Sequence, residues 1–347
     1  MLSFKREKDL PLGAIWLMNQ VAESKGKQEL YAKQSPQILK ALIEMALIES
    51  AESSNRIEGV TVDKDRLKPL VIGRSKPRDR SEEEVAGYRN ALDLIHRKHE
   101  SLEISPDTIQ KLHELSHGGA SDAGHWKKKD NDIIRRNSDG AVDLIFRPVS
   151  AAETPKAMEQ LCLAYQHSVD QERYPDLYAV ACLILDFLCI HPFRDGNGRV
   201  SRLLTLLALY HHGYKVGKYI SLERIVEQSK ETYYESLQTS TKYLHEGKHD
   251  IEPWLYYFLG TVNAAYREFS QRAGEVKSPR GAKTEIVTQT IKDQTAEFSI
   301  SDIEKACPAI SRDMIRVILR QLQKEKKIAC LGKGKSAKWK RIGSWNR

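Results

Sequence analysis

From Leu177 to Ile190 the chain is apolar almost all the way round a helix, with Asp186 as the one ionisable carboxylate in the run. A helix with no polar face must be covered on every side, so this stretch predicts the central strut of a helical bundle. It has to stop at His191, because Pro192 disfavours the α conformation in the residue before it. A second helix is predicted from about Gly198 to Tyr210, ending by Gly213. The run is too short to span a bilayer, which takes roughly 20 apolar residues. Met1 to Leu10 also lacks the apolar core of a secretory signal. With 40% hydrophobic and 29% charged residues, the 347-residue chain is neither disordered, collagenous nor a disulfide scaffold. Five scattered cysteines without a CxxC pair read as reduced, buried thiols in a cytoplasmic protein.

Most of the first 275 residues read as helix. Ile38, Leu39, Leu42, Ile43, Met45, Ala46 and Ile48 recur at helical spacing after Ser35-Pro36, in a helix expected to run on toward Gly59. Further helices are predicted near 81–99, where Ser81 and Glu84 have capping-box spacing, and over 106–117 and 153–169. Asp132–Arg136 and Val142–Phe146 flank Asn137-Ser-Asp-Gly140, the signature of a β-hairpin. Charge divides the chain. Residues 276–347 hold 17 basic and 7 acidic side chains, net +10, against 38 and 40, net −2, in residues 1–275. The Pro/Gly/Lys stretch 276–283 reads as a linker between a domain at 1–275 and a second at 284–347.

The elbow between the two central helices reads His191-Pro-Phe-Arg-Asp195-Gly196-Asn197-Gly198-Arg199-Val-Ser-Arg202. Gly196-Asn197-Gly198 opens a helix, whose end carries unpaired N–H groups and partial positive charge. Two glycines permit the backbone geometry of an anion-binding nest. Arg199 and Arg202, at i and i+3, are expected to lie along one side as a pair of phosphate clamps. Asp195 supplies a hard oxygen of the kind magnesium prefers, and His191 is placed to act as a general base. The combination suggests transfer of a nucleotidyl or phosphoryl group to a hydroxyl.

This stretch resembles H-x-F-x-[D/E]-G-N-G-R-x-x-R, the signature of Fic-domain proteins, at all eight specified positions. The chance of that match is roughly one in 10¹⁰ per start position. The resemblance implies a mainly α fold: a Fic-type helical bundle with a β-hairpin flap, followed here by a small winged-helix domain. It also implies transfer of AMP from ATP, with Mg²⁺, to a Tyr, Thr or Ser hydroxyl of a protein. His191 would then deprotonate the hydroxyl and Phe193 would anchor the loop. Asp195 would be the metal ligand, Gly196, Asn197 and Gly198 would cradle the phosphates, and Arg199 and Arg202 would hold the β- and γ-phosphates. A Doc-type kinase relative would carry Lys in place of a motif glycine, which this chain does not.

Ser54-x-x-x-Glu58-Gly59 resembles the family's inhibitory motif, in its N-terminal, class II arrangement. The implied brake is competition: Glu58 would pair with Arg202 and deny it to the γ-phosphate. The same glutamate supports de-AMPylation in some relatives. The resemblance further makes the hairpin a target-binding flap, assigned to Leu144, Ile145 and Phe146, and puts Tyr233 and Tyr234 near the nucleoside. Thr241 stands where some relatives carry Asn.

His113-Glu-Leu-Ser-His117 matches the HExxH zinc motif, but Ala120 and Ala123 stand where the extended form needs Gly and His, and no glutamate follows before Glu153. Packing within the bundle is the expected role of both histidines. In the basic C-terminal region, helices are predicted over 284–292, 301–306 and after the cap Ser311. In the last, Ile315, Ile318, Leu319 and Leu322 face one way and Arg312, Arg316 and Arg320 the other. Two strands, 328–331 and 338–342, flank a Gly/Lys turn. This resembles a winged helix-turn-helix, implying DNA contact, with a protein-interaction or dimerisation module as the alternative. The expected partners are therefore target proteins, the chain itself among them, DNA, and a second copy in a homodimer, with no membrane. The alternative from another class is a DNA-binding regulator whose Fic fold senses ATP.

Overall fold

The computed structural model describes residues 3–5, 9–34, 36–136, 142–274, 282–292, 297–307, 310–332 and 337–342. They fall into two compact units, Met1–Ala273 and Gly274–Arg347. Most of the stretch read as a linker, 276–281, lies outside the described residues. The next helix starts at Ala282, inside the span assigned to the linker.

The first unit begins with α1 (Leu12–Gln34), α2 (Pro36–Ile57), α3 (Lys64–Val71), α4 (Arg80–Lys98) and α5 (Pro106–Ser116). A hairpin follows, of β1 (Ile133–Arg136) and β2 (Val142–Phe146). After it come α6 (Thr154–Asp170), α7 (Asp176–Ile190), α8 (Asn197–His211), α9 (Leu222–Gln228), α10 (Lys230–Thr241) and α11 (Glu252–Gly274). Polar side chains set the helix starts. Asp63 accepts the Asp65 N–H ahead of α3, and Ser105 accepts the Thr108 N–H ahead of α5, where Pro106 loses no needed donor. The capping box expected from Ser81 and Glu84 does not form. Asp79 is the N-cap of α4, accepting from Glu82 N–H at 2.9 Å, and Glu84 turns into the core instead.

α7 is the buried strut: every residue from Leu177 to Ile190 except Leu188 is buried. Asp186 is tolerated there because Ser3 meets both of its oxygens, through N–H and Oγ, each at 2.7 Å. Burial still pushes the Asp186 carboxyl up to about 7, the two Ser3 bonds opposing. α6 and α8 flank α7, while α2 packs between α4 and α9. The C-terminal half of α2 is therefore interior, with Ser50, Ser53, Ser54 and Asn55 all buried. Lys230 Nζ caps its last carbonyls, bonding Ile57 O at 2.8 Å. The hairpin pairs Ile134 with Leu144 and Arg136 with Val142, with an irregularity between Ile133 and Ile134. Its turn, Asn137–Gly140, lies outside the described residues. Among the described residues no helix is long and apolar enough to cross a membrane, and all five cysteines are free.

The second unit contains α12 (Ala282–Lys292), β3 (Phe298–Ser299), α13 (Ile300–Ala306), α14 (Arg312–Lys324), β4 (Ile328–Cys330) and β5 (Lys338–Arg341). Ser311 caps α14, and Ile315, Ile318, Leu319 and Leu322 are its buried stripe. β5 is the central strand of an antiparallel sheet ordered β3-β5-β4. The sequence reading missed β3. It is two residues long and exists by pairing Phe298 with Trp339 across 41 residues of chain.

Candidate functional site

α7 ends in a strained residue. His191 has φ 50° and ψ 61°, a left-handed conformation that costs a non-glycine residue energy, and its N–H still bonds Phe187 O at 2.9 Å. Phe193 is fully buried and holds the loop from inside. Asn197 then staples it: its Oδ1 accepts the Phe193 N–H at 2.9 Å, and its Nδ2 donates to the Phe193 carbonyl at 2.8 Å. The Asn197 side chain is thus committed to the loop, and its backbone N–H is the group it offers to the expected cradle. Gly196, at φ 76°, opens α8 without any side-chain cap. The first bond inside α8 runs from Val200 N–H to Gly196 O, so the N–H groups of Asn197, Gly198 and Arg199 precede the helical ladder.

A cavity of about 410 Å³ opens beside this helix end. His191, Gly198, Arg202, Glu58, Tyr233 and Tyr234 line it, with Ile145 and Phe146 from β2 on its rim. Asp195, Asn197, Arg199 and Leu144 are not in its wall; Leu144 is 53% exposed. Asp195 is also exposed, and one of its oxygens accepts the Gly196 N–H at 2.7 Å. Tyr233 is buried among Tyr234, Trp254 and Tyr257, whereas Tyr234 is 44% exposed. Thr241 lines the cavity but bonds back to Leu237 O at 2.9 Å on its own helix.

His191 Nδ1 is buried without a well-formed hydrogen bond. Burial pulls the imidazole down to about 4, and the Lys127 ammonium acts the same way; the Leu188 carbonyl and the Glu58 and Asp195 carboxylates oppose. The ring is therefore neutral at pH 7 and able to accept a proton. Lys127 was not anticipated from the sequence. It is buried, its Nζ caps α7 by donating to Ile190 O at 3.2 Å, and its N–H bonds Pro192 O at 2.8 Å.

The two arginines part company. Arg202 turns toward the cavity and is gripped by the end of α2. Its Nε donates to Ser54 Oγ at 2.9 Å, and one terminal nitrogen reaches both Ser54 O at 2.9 Å and Glu58 Oε1 at 2.8 Å. The other terminal nitrogen is buried without a partner. The Glu58 carboxylate rests on Gly198, where a Cβ would collide with Oε1, so a negative group lies against the N-terminus of α8. Arg199 turns away and is only 2% exposed. It donates to Glu84 at 2.9 Å, to Ser116 O at 3.1 Å and to His117 Nδ1 at 3.2 Å. The clamp expected of it is not formed in this arrangement: the buried Glu84 carboxylate, the Ser116 carbonyl and the His117 ring hold the guanidinium inside.

His113 and His117 are buried under the elbow. Their rings stack, with centroids 4.7 Å apart, and His113 also stacks on Phe193 at 3.8 Å. Burial draws His113 down to about 4, with His117 adding to the shift. Among the described residues no group of three or more His, Cys, Asp or Glu is placed to hold a metal ion. The HExxH spacing did put both rings on one helix face, but nothing local told that this face meets the elbow.

A family model described as Fic/DOC matches residues 103–209, the span from the start of α5 through α8. The chain is 30% identical over 120 residues to a Fido domain-containing protein of Dictyostelium discoideum, covering 33% of this chain and 79% of that protein. The chain belongs to the Fic/DOC family. It is also 26% identical over 230 residues to the protein adenylyltransferase Fic of Nematostella vectensis, covering 62% of this chain but only 47% of that protein's length. The Fic fold extends well beyond the family model's span. A crystal structure of a Fic family protein from Desulfovibrio desulfuricans superposes with TM-score 0.63 at 20% identity, over 98% of this chain and 99% of that one.

Proposed function

We propose that this Fic protein transfers AMP from ATP to a hydroxyl side chain of a protein, and that Glu58 holds it inactive. One observation carries the reading: a single cavity joins a neutral, half-buried imidazole, an uncapped helix N-terminus and an arginine pinned by Glu58. In the forward reaction His191 takes the proton of the incoming hydroxyl, and the oxygen attacks the α-phosphorus as pyrophosphate leaves. The N–H groups at the start of α8 and the Arg202 guanidinium face the charge of the phosphates. Tyr233 and Tyr234 form the wall against which the nucleoside would pack, and Ile145 and Phe146 on β2 place the target segment by strand addition.

The donor set fits a magnesium ion carried in by the nucleotide. Asp195 is one exposed carboxylate with a second oxygen to spare, and magnesium is usually held by one or two carboxylates plus substrate phosphates. When bound, the ion would neutralise phosphate charge.

The brake follows from electrostatics. Glu58 places its negative charge on Gly198 and Arg202, the seat that a γ-phosphate would use. Releasing it should restore a productive pose. The test is label transfer from ATP to protein. Glu58→Gly should raise incorporation at least tenfold over the parent, and adding His191→Ala should lower it again by about 10²–10⁴, the range for a lost general base. Nucleotide binding by Glu58→Gly without any transfer would favour the sensor reading instead.

For the second unit we propose contact with DNA. Arg316 and Arg320 are exposed on α14 away from its buried stripe, and Arg312 is half-buried at the flank and bonds Glu304 at 2.7 Å. On β5 Lys338 and Lys340 are exposed on either side of buried Trp339. Affinity for a DNA duplex that falls steeply with salt would support this, and affinity indifferent to salt would refute it.

A further inference from the structure

The two histidines of the HExxH sequence have no part in the reaction as written, yet they touch its loop directly. His113 Nδ1 accepts the backbone N–H of Gly124 at 2.8 Å. A backbone N–H can only donate, so Nδ1 carries no proton and Nε2 does. That Nε2–H points at the carbonyl of Asp195, 3.1 Å away. The peptide joining Asp195 to Gly196 is planar, so fixing its carbonyl also fixes the opposite N–H. This N–H, on Gly196, donates to Asp195 Oδ1 at 2.7 Å. A chain of two hydrogen bonds through one peptide therefore links His113 to the carboxylate of Asp195.

The ring itself is held still. It lies between Phe193 and His117, nearly parallel to Phe193 with an interplanar angle of 5°. His117 is fixed in turn, its Nδ1 accepting from Arg199 and its Nε2 lying 3.5 Å from Asp122. A Cβ on Gly196 would come 3.3 Å from His113 Cδ2, so the imidazole packs directly against the positive-φ residue that opens α8.

We propose that His113 is a positioning residue that sets the Asp195 carboxylate for a nucleotide-borne divalent cation, acting through the Asp195–Gly196 peptide. The proposal rests on the reading of the cavity as a nucleotide site. It assigns to α5 a function that its zinc-like spacing only mimics, and it explains why the ring must be a donor on one side and an acceptor on the other.

Two substitutions separate its two bonds. His113→Gln can place an N–H where Nε2 stood and keep the bond to Asp195. His113→Asn can place an oxygen where Nδ1 stood and keep only the bond to Gly124. Both are made in the full chain carrying Glu58→Gly, and ATP affinity is measured by calorimetry with magnesium and with EDTA, alongside melting temperature. His113→Asn should lose about tenfold or more of the magnesium-dependent gain in affinity, the usual loss when an outer hydrogen bond to a metal ligand is removed. His113→Gln should stay within about threefold of its parent. Equal behaviour of the two, or losses that follow melting temperature alone, would overturn the proposal. If His113→Asn does not fold, retention of the magnesium-dependent gain by His113→Gln supports it and loss of that gain overturns it. A Glu58→Gly parent that binds no magnesium–ATP would defeat the nucleotide reading itself, and the proposal with it, before either histidine variant is compared.

Discussion

Arg199 and Arg202 leave α8 three residues apart, and each meets a carboxylate, Glu84 at 2.9 Å and Glu58 at 2.8 Å. Around Arg199 everything is closed. Glu84 comes from the interior face of α4 with its side chain 5% exposed, and further bonds go to α5. Around Arg202 one side is closed by Ser54, but Glu58 stands in the turn after α2 with its side chain 25% exposed, at the edge of the cavity. One face of the helix turn is thus framework, and the other holds an ion pair that a different anion could replace. Identical side chains on one helix differ in role because different elements pack against them.

The comparison breaks most visibly in the loss of the base. If the Arg202 face is the reactive one, removing His191 costs about 10²–10⁴ in transfer while leaving the fold and nucleotide binding in place. Next is stability. Arg199→Met takes from the buried Glu84 carboxylate one of its two arginines, Arg80 remaining at 2.9 Å. It also leaves Ser116 O and His117 Nδ1 without their donor, and it should cost about 3 kcal/mol in urea unfolding. Glu58→Gly removes a partly exposed partner and should cost no more than about 1 kcal/mol. Equal costs would erase the distinction between the two faces.

The smallest effect is on pH. His191 is active as the neutral ring, so the rate falls as the pH drops through its pKa. With that pKa pulled down to about 4, kcat/KM of the Glu58→Gly protein should stay flat on acidification well below pH 6.5. An acid limb at 6.5 or above would mean the ring is solvated and the cavity is not the environment of the base.

Much of this could be read from the chain. The apolar run of α7, the Pro192 stop, the glycines of the elbow and the Asn137–Gly140 turn signal are local patterns, and the elements they predict are where they should be, although that turn itself lies outside the described residues. The Glu58–Arg202 ion pair was also expected, from the resemblance of Ser54-x-x-x-Glu58-Gly59 to the family's motif, and it forms at 2.8 Å. What failed was long-range. The i, i+3 spacing of Arg199 and Arg202 fixes where the side chains leave the helix, but not that Glu84, 115 residues earlier, captures one of them. The capping box at Ser81 was a sound local expectation overridden by Asp79, two residues earlier. α1 was invisible because Gly13, Gly26 and scattered apolar positions give it no clear stripe. The histidine platform was hidden for the same reason as the Arg199 pair: a helix face can be read from spacing, but its contact cannot.

The most direct test compares two labels. Glu58→Gly protein, alone and with a hydroxyl-bearing target, is given ATP labelled on the α-phosphate or on the γ-phosphate, with the His191→Ala form as control. Protein that gains the α-label, and gains it only when His191 is present, is the predicted result. Protein that gains the γ-label, or gains the α-label equally without His191, would contradict the account.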